Sequence, residues 1–200
     1  MEPILILNGS PRAPKSNSKH YAELFAKAYK ATAEYHNITK TNHTTLCARI
    51  ADFSNVLLVF PLYADALPVT LLHFLTTLEQ NPPANKPTLS VLINCGFLEP
   101  QQNDTALAML RLFCRQNGYT FGSALKIGAG EAILTTPFRF LAKRGIKKLA
   151  VSIKNKANHT VSVTMPISKT TFIKAAAKYW TNYARKYGVT PEEMQTMQIE

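Results

Sequence analysis

The sequence predicts an α/β protein: a three-layer αβα sandwich around a doubly wound parallel sheet. Three observations support this fold class. Short apolar runs recur along the first two thirds of the chain, amphipathic helical segments separate them, and a break rich in Gly, Pro or Asn follows each run. Strands that are buried on both faces of a parallel sheet have such continuous apolar sequences. Their alternation with helices is typical of right-handed βαβ units.

Four segments are predicted to be buried strands, because they are short, aliphatic and bounded by turn residues. They comprise residues 4–7, 56–60, 89–94 and 119–127. Residues 38–46 are polar and rich in Thr, so we expect at best a weak edge strand there.

Four further segments carry apolar residues at helical spacing, namely residues 16–35, 68–80, 104–116 and 170–187. In the last of them six apolar side chains share one face, which we expect to be buried, with lysines opposite. These are Phe172, Ile173, Ala176, Trp180, Tyr183 and Tyr187. Thr190, Pro191 and the two glutamates that follow predict the start of one more short helix.

Residues 138–154 fit two structures. Leu141, Ile146 and Leu149 recur with a loosely helical period. Alternatively, residues 150–153 and 161–165 both alternate and would pair as a hairpin. We favour the helix. The chain is then a single domain with a core over residues 1–135 and a C-terminal helical extension over residues 136–200.

Composition narrows the class of protein. The 200 residues are 46% hydrophobic and 18% charged, which excludes a largely disordered chain. Cys47, Cys95 and Cys114 are widely spaced, and the five histidines lack ligand spacing, so neither a disulfide framework nor a metal site is expected. The sequence contains no recognisable secretory signal and no apolar stretch of membrane-spanning length. A cytoplasmic location is therefore expected.

The formal net charge of +11 is concentrated in the second half of the chain. Residues 1–100 hold 8 basic and 7 acidic residues, whereas residues 101–200 hold 15 and 5. This asymmetry fits a polyanionic partner or a solvated basic surface. Because the C-terminal cations fall on amphipathic helical segments and no nucleic-acid motif is present, we expect neither nucleic acid nor a membrane as partner. A binder of nucleic acid or of an acidic surface remains a remote alternative.

Ligands of open parallel sheets bind beyond the carboxyl ends of the strands, so the loops that follow the strands are the candidate sites. The first loop, residues 8–18, combines a Gly turn, Ser hydroxyls, Arg12 and the start of a helix. Hydroxyl groups and free N–H groups at a helix N-terminus bind anions. The loop therefore predicts a phosphate site, unless Ser16 or Asn17 serves only as a helix cap. It matches neither the P-loop nor the Rossmann pattern.

The next two loops point to a flat ligand. Residues 61–68 place Tyr63 between two prolines, which suits the edge of a heterocycle, although an ordinary strand-to-helix connection is the alternative. In residues 94–100, Gly96 permits close approach of the backbone. The neighbouring Cys95 is expected to be a buried, inert thiol rather than a nucleophile.

These three loops, in this order, resemble the flavodoxin-like fold, and most of all the NAD(P)H-dependent FMN reductases and their flavodoxin family relatives. The resemblance spans residues 1–135 and rests on three motifs. They are Asn8-Gly9-Ser10-Pro11-Arg12 with Ser16-Asn17-Ser18, then Pro61-Leu62-Tyr63 with Leu67-Pro68, then Asn94-Cys95-Gly96-Phe97 with Glu99. The loop at residues 128–131 is less rich in glycine than close relatives would have.

The resemblance implies bound FMN, with NAD(P)H as co-substrate and a quinone, a nitro or azo compound or a flavin as acceptor. It assigns the FMN phosphate to Ser10, Arg12, Ser16, Asn17 and Ser18. It assigns one edge of the isoalloxazine ring to Pro61, Leu62, Tyr63 and Ala64, and the other side to Asn94, Gly96 and Phe97. No catalytic acid or base is needed, because the flavin carries the redox chemistry. A homodimer is a further expectation, and an FMN-binding sensor or electron-transfer protein without NAD(P)H turnover is the alternative function.

Overall fold

The computed structural model describes residues 2–13 and 15–196. Over these residues the chain forms six strands: β1 (Ile4–Asn8), β2 (Ala33–Asn37), β3 (Asn55–Pro61), β4 (Thr88–Asn94), β5 (Thr120–Ile127) and β6 (Thr160–Val163). Six α-helices accompany them: α1 (Asn17–Tyr29), α2 (His43–Ile50), α3 (Val69–Gln80), α4 (Asp104–Gln116), α5 (Arg139–Lys154) and α6 (Lys169–Arg185). The chain divides into two compact units, one ending at Met165 and the other beginning at Pro166.

The six strands form one parallel sheet in the order β2-β1-β3-β4-β5-β6. The chain winds from β1 outward to β2, then crosses to β3 on the other side of β1. The order therefore reverses between β1 and β3, and the connections that follow these strands lead to helices on opposite faces of the sheet, which leaves a crevice between the loops. This topology confirms the predicted fold class.

Helices cover both faces of the sheet because its central strands are apolar on both faces. Leu5, Leu58 and Val91 pack into one core with residues of α2, α3 and α4. The intervening strand residues face the other way, where α1 and α5 contact each other. Gly145 of α5 lets that helix lie close to the sheet, since a Cβ there would be 2.7 Å from Val163 Cγ2. These two cores make the three layers.

The sequence misplaced the elements next to β1. Helix α1 ends at Tyr29, where Lys30 adopts a left-handed φ of 56°, rather than continuing to residue 35. The edge strand is β2, and residues 43–46 of the expected weak strand belong to α2 instead. The residues of β2 are all half-buried, because an edge strand pairs on one side only. Their polar sequence therefore lacks the continuous apolar run by which the central strands are recognised.

Beyond β5, the favoured helix over residues 138–154 is confirmed as α5, and the hairpin is not formed. The favoured interpretation did not include β6. The alternative placed a strand over residues 161–165 but paired it with residues 150–153, whereas β6 pairs in parallel with β5. This strand is four residues long and alternates between exposed and half-buried residues at the edge of the sheet. Its residues alternate, but so short a pattern does not indicate which strand it pairs with.

The predicted helix over residues 170–187 exists as α6, but its expected burial is wrong. No described side chain of α6 is buried, and the six residues of the predicted stripe are exposed or half-exposed. Helical spacing shows which face is apolar, not whether another element covers it. The last predicted helix is a 3-10 turn over Glu193–Gln195, with Thr190 and Glu193 bonded reciprocally as a capping box. Among the described residues, no helix is long and apolar enough to cross a membrane.

Candidate functional site

A cavity of about 140 Å³ opens at the carboxyl ends of β1, β3 and β4. Its lining comes from the loops after these strands, the start of α1 and the loop after β5. The lining residues are Ser10, Pro11, Arg12, Ser16, Asn17, Ser18, Pro61, Leu62, Tyr63, Asn94 and Glu131. The cavity thus occupies the crevice where the strand order reverses. A larger groove of about 340 Å³ lies between α5 and β6, but none of the predicted site residues lines it.

Asn8, the last residue of β1, sets the shape of the first loop. Its side chain is buried, and its carbonyl oxygen accepts a hydrogen bond from the Ser10 backbone N–H at 3.0 Å. Its amide donates to Tyr35 Oη at 2.9 Å and to Ser16 Oγ at 3.4 Å. The Ser10 hydroxyl in turn accepts from the Arg12 N–H at 3.3 Å. One buried amide therefore joins the loop to β2 and to the start of α1.

The N-terminus of α1 points its free donors into this cavity. Ser16 is the N-cap, and its hydroxyl oxygen accepts from the Lys19 N–H at 3.2 Å. The N–H groups of Asn17 and Ser18 precede the first intrahelical bond, so the helix offers them no acceptor. The helix dipole adds a partial positive charge at this end. Together with the exposed guanidinium of Arg12, these are groups that could hold an anion.

Asn94 closes the floor of the cavity at the end of β4. It is buried, and its amide donates to Ser18 Oγ at 3.3 Å and to the Phe60 carbonyl at 3.2 Å. Its backbone carbonyl accepts from the Leu62 N–H at 2.7 Å. Asn94 therefore fixes Ser18 and the start of the second loop in one position.

The second loop presents Tyr63 on a tight hairpin. Tyr63 and Ala66 exchange two backbone hydrogen bonds, at 3.0 and 3.1 Å. Ala64 and Asp65 between them have φ values of 47° and 56°, the left-handed conformation that residues other than Gly rarely adopt. The Tyr63 side chain is more than half exposed. The chain thus holds a strained turn that presents an aromatic ring at the mouth of the cavity.

The loops after β4 and β5 brace each other beside the cavity. Gly130 donates from its N–H to the Cys95 carbonyl at 2.7 Å, and its own carbonyl accepts from the buried Tyr21 hydroxyl at 2.7 Å. Gly128 lies against the Leu98 carbonyl so closely that a Cβ would collide with it. This packing brings Glu131 into the lining of the cavity.

No protein-family model and no curated protein matches the sequence. Solved structures do match its fold. The Trp repressor binding protein of Bacillus subtilis superposes with a TM-score of 0.59 at 15% identity, covering 73% of this chain and 98% of that one. An FMN-dependent NADH-azoreductase from Bacillus anthracis, solved with FMN, gives 0.57 at 14% identity, covering 76% and 99%. An NAD(P)H:quinone oxidoreductase from Methanothermobacter marburgensis gives 0.57 at 14% identity, covering 76% and 97%.

The fold is flavodoxin-like. Strand order and structural similarity agree on this point, and they confirm the resemblance that the three loops indicated. In this flavodoxin-like chain, nine of the twelve predicted site residues line the one cavity: Ser10, Arg12, Ser16, Asn17, Ser18, Pro61, Leu62, Tyr63 and Asn94.

The other three predicted site residues lie outside the cavity lining. Ala64 is on the hairpin turn beside it. Gly96 and the half-exposed Phe97 follow β4, and no atom lies within 4 Å of a Cβ built on Gly96. The sequence missed Pro11 and Glu131 as lining residues. Glu131 follows β5, and the position of that loop at the carboxyl edge of the sheet was the signal for it.

Cys95 sits in the third loop as a buried thiol. Burial raises the pKa of Cys95, so the thiol stays protonated at neutral pH. The Asn103 amide donates to its sulfur at 3.3 Å, and the thiol approaches the Phe97 carbonyl at 3.6 Å. Cys95 is thus buried, as the sequence predicts.

Proposed function

We propose that this protein is an FMN-dependent oxidoreductase that transfers electrons from NAD(P)H to a small acceptor such as a quinone, an azo or nitro compound or a flavin. The observation that carries the proposal is the single cavity at the β1/β3 reversal, which collects predicted residues from three separate loops. Structural neighbours that are azoreductases and quinone reductases support the same class of chemistry.

The residues present fit both ends of FMN, its phosphate and its isoalloxazine ring. The phosphate would bind the Ser10 and Ser16 hydroxyls, the free N–H groups of Asn17 and Ser18, and Arg12. A cavity of about 140 Å³ is smaller than the several hundred Å³ of a pocket that encloses a whole cofactor. The isoalloxazine ring would therefore lie at the surface, between the exposed Tyr63 and Phe97.

Bound FMN would accept a hydride from NAD(P)H and pass the electrons to the acceptor. The chain's own part is to position the cofactor. Asn94 and Asn8 hold the Ser18 and Ser16 side chains through buried hydrogen bonds. The rigid hairpin holds Tyr63 at the ring edge. Because the loops are fixed before binding, little ordering of the chain opposes it.

The first test is cofactor binding by the full chain. The purified protein should show the absorbance of oxidised flavin, or acquire it when FMN is added. We expect Arg12→Ala to weaken FMN binding about 10- to 100-fold, since it removes a charge-assisted hydrogen bond. Lys15→Ala is the matched control, because Lys15 carries the same charge on the same loop outside the cavity lining. Equal, small losses in both variants would make Arg12 an ordinary surface charge, and no FMN binding at micromolar concentration would refute the proposal.

The second test is turnover, because the residues that line the cavity support FMN binding and do not identify the electron donor. An FMN reductase should oxidise NADH or NADPH with a quinone or an azo dye as acceptor, and Arg12→Ala should lose this activity unless FMN is added in excess. Flavin binding without NAD(P)H oxidation would favour a sensor or electron-transfer protein on the same fold. Size-exclusion chromatography of the same sample tests the expected homodimer.

A further inference from the structure

Helix α6 and the turn after it carry a continuous aromatic surface that is open to solvent. Tyr179, Trp180, Tyr183 and Tyr187 are between 42% and 69% exposed. Their rings contact one another in sequence, with centroids 5.2 Å apart for Tyr179 and Trp180, 5.8 Å for Trp180 and Tyr183, and 5.2 Å for Tyr183 and Tyr187. Isolated exposed aromatics are ordinary, but a contiguous patch marks a surface that binds something.

The opposite side of α6 is cationic. With about 100° per residue, Lys174, Lys178 and Arg185 fall on the side opposite the aromatic rings, whereas Lys169 in the first turn falls on the aromatic side. Residues 166–191 contain five basic residues and no acidic one. The whole chain, with these five residues included, has a net charge of +11. The partner of this segment therefore has to offer both an apolar layer and negative charge.

We propose that α6 is an interfacial anchor, which binds the surface of an anionic lipid bilayer with its axis parallel to the membrane. A helix with aromatic and apolar residues on one side and Lys and Arg on the other inserts its apolar side at the level of the head groups. Trp and Tyr are the side chains that favour this depth, because each joins an apolar ring to a polar group. The cations lie about one helix diameter, roughly 10 Å, from the head groups. This distance is close to the screening length of about 8 Å at physiological salt, so part of their attraction to anionic lipids remains.

Other partners would match either the aromatic side or the cationic side of α6, but not both. A second copy of the chain would cover the aromatic side but would give the cations no counter-charge. A nucleic acid would need bases stacked on aromatic rings and phosphates on cations of the same side, whereas most cations of α6 lie opposite the rings. At 17 residues, α6 is about 25 Å long, and its cationic side excludes a spanning orientation. The sequence predicted no membrane partner. The exposure of this aromatic side, which was expected to be buried, is the observation that favours one.

Trp180 makes the proposal directly measurable, because it is the only tryptophan in the chain. The full-length protein is mixed with vesicles of phosphatidylcholine alone or of phosphatidylcholine with phosphatidylglycerol. We expect sedimentation with the anionic vesicles only, a blue shift of the Trp180 emission, and quenching of that emission by brominated acyl chains. Sedimentation without a blue shift would mean that the cations bind and the aromatic side stays in water, which would overturn the anchor.

Substitutions at two adjacent positions distinguish insertion of the aromatic side into the bilayer from electrostatic attraction of the helix to it. Tyr183→Asp and Asn182→Asp each add one negative charge, on the aromatic side and on the polar side of α6 respectively. We expect Asn182→Asp to weaken vesicle binding about fivefold, the effect of one charge near the surface. Tyr183→Asp should weaken it at least about 50-fold, because it also places a charge in the inserted layer. Tyr183→Phe should retain binding, and circular dichroism should show equal helix content in all three variants.

Two further results would overturn the proposal. One is an equal loss of vesicle binding in Tyr183→Asp and Asn182→Asp. The other is an absence of binding to anionic vesicles together with a dimer that Tyr183→Asp dissociates, which would assign the aromatic surface to a second copy. Neither outcome bears on FMN binding, so the anchor and the oxidoreductase proposal stand or fall separately.

Discussion

At the scale of single residues, two glycines in the site loops have opposite surroundings. Gly128 packs against the third loop, where an added Cβ would collide with the Leu98 carbonyl and lie 2.9 Å from Thr164 Oγ1. A Cβ on Gly96 would meet no atom within 4 Å. Gly128 is therefore required by the protein's own packing. The open space at Gly96 is available to a ligand.

We predict that Gly128→Ala lowers the free energy of unfolding by about 1–3 kcal/mol, since backbone atoms of the third loop would have to move. Gly96→Ala should change it by no more than about 0.5 kcal/mol. If the flavin ring lies against Gly96, the same variant should weaken FMN binding despite its unchanged stability. Urea unfolding and FMN titration of both variants measure the two effects. Equal destabilisation of the two variants would contradict the packing described for these loops.

At the scale of elements, the sequence predicted what is buried and missed what lies at the edges. β1 and β3 were recognised because burial on both faces demands continuous apolar residues. β2 and β6 pair on one side only, so their residues are mixed and their signal is weak. The loops of the site were found because parallel strands end at one edge of the sheet. The contact that brings Glu131 to the cavity depends on loop packing, which a sequence does not encode locally.

The edge of the sheet at β2 is joined to α2 by an ion pair. Glu34 of β2 contacts Arg49 of α2, and the Arg49 Nε donates to Glu34 Oε1 at 2.7 Å. Hydrogen bonds from Arg49 and from His36 lower the pKa of Glu34 to about 2. A carboxylate with a lowered pKa in the folded state stabilises the fold above its unfolded pKa, and the effect is lost as the pH falls towards the folded pKa.

We therefore predict that part of the stability disappears between about pH 4.5 and about pH 2. The pair is partly exposed, so Glu34→Gln should lower the free energy of unfolding by at most about 1 kcal/mol at neutral pH. Near pH 2 the variant and the parent should be equally stable. Urea unfolding across this pH range measures the difference, with Glu23→Gln on the exposed side of α1 as control. A difference that stays constant with pH would show that Glu34 acts through packing rather than charge.

At the scale of the whole molecule, the buried residues define where the folded body ends. Every described residue that is buried lies at or before Met165, and the chain divides into its two compact units at the same point. Both faces of the sheet and the cavity lining lie within the first unit. The second unit holds α6 and contributes no buried side chain. Stability and cofactor binding should therefore depend on the first unit alone.

We predict that a chain ending after Met165 folds and binds FMN as the full chain does. Its free energy of unfolding should differ by no more than about 0.5 kcal/mol, the range of changes that remove no buried contact. Its FMN dissociation constant should agree within about twofold, because Arg12, Asn94 and the start of α1 are retained. Urea unfolding and FMN titration of the two chains make the comparison, with the Gly128→Ala variant as a destabilised reference. A shortened chain that loses stability would show that α6 serves the fold, and would return its aromatic residues to the structural role that their spacing first predicted.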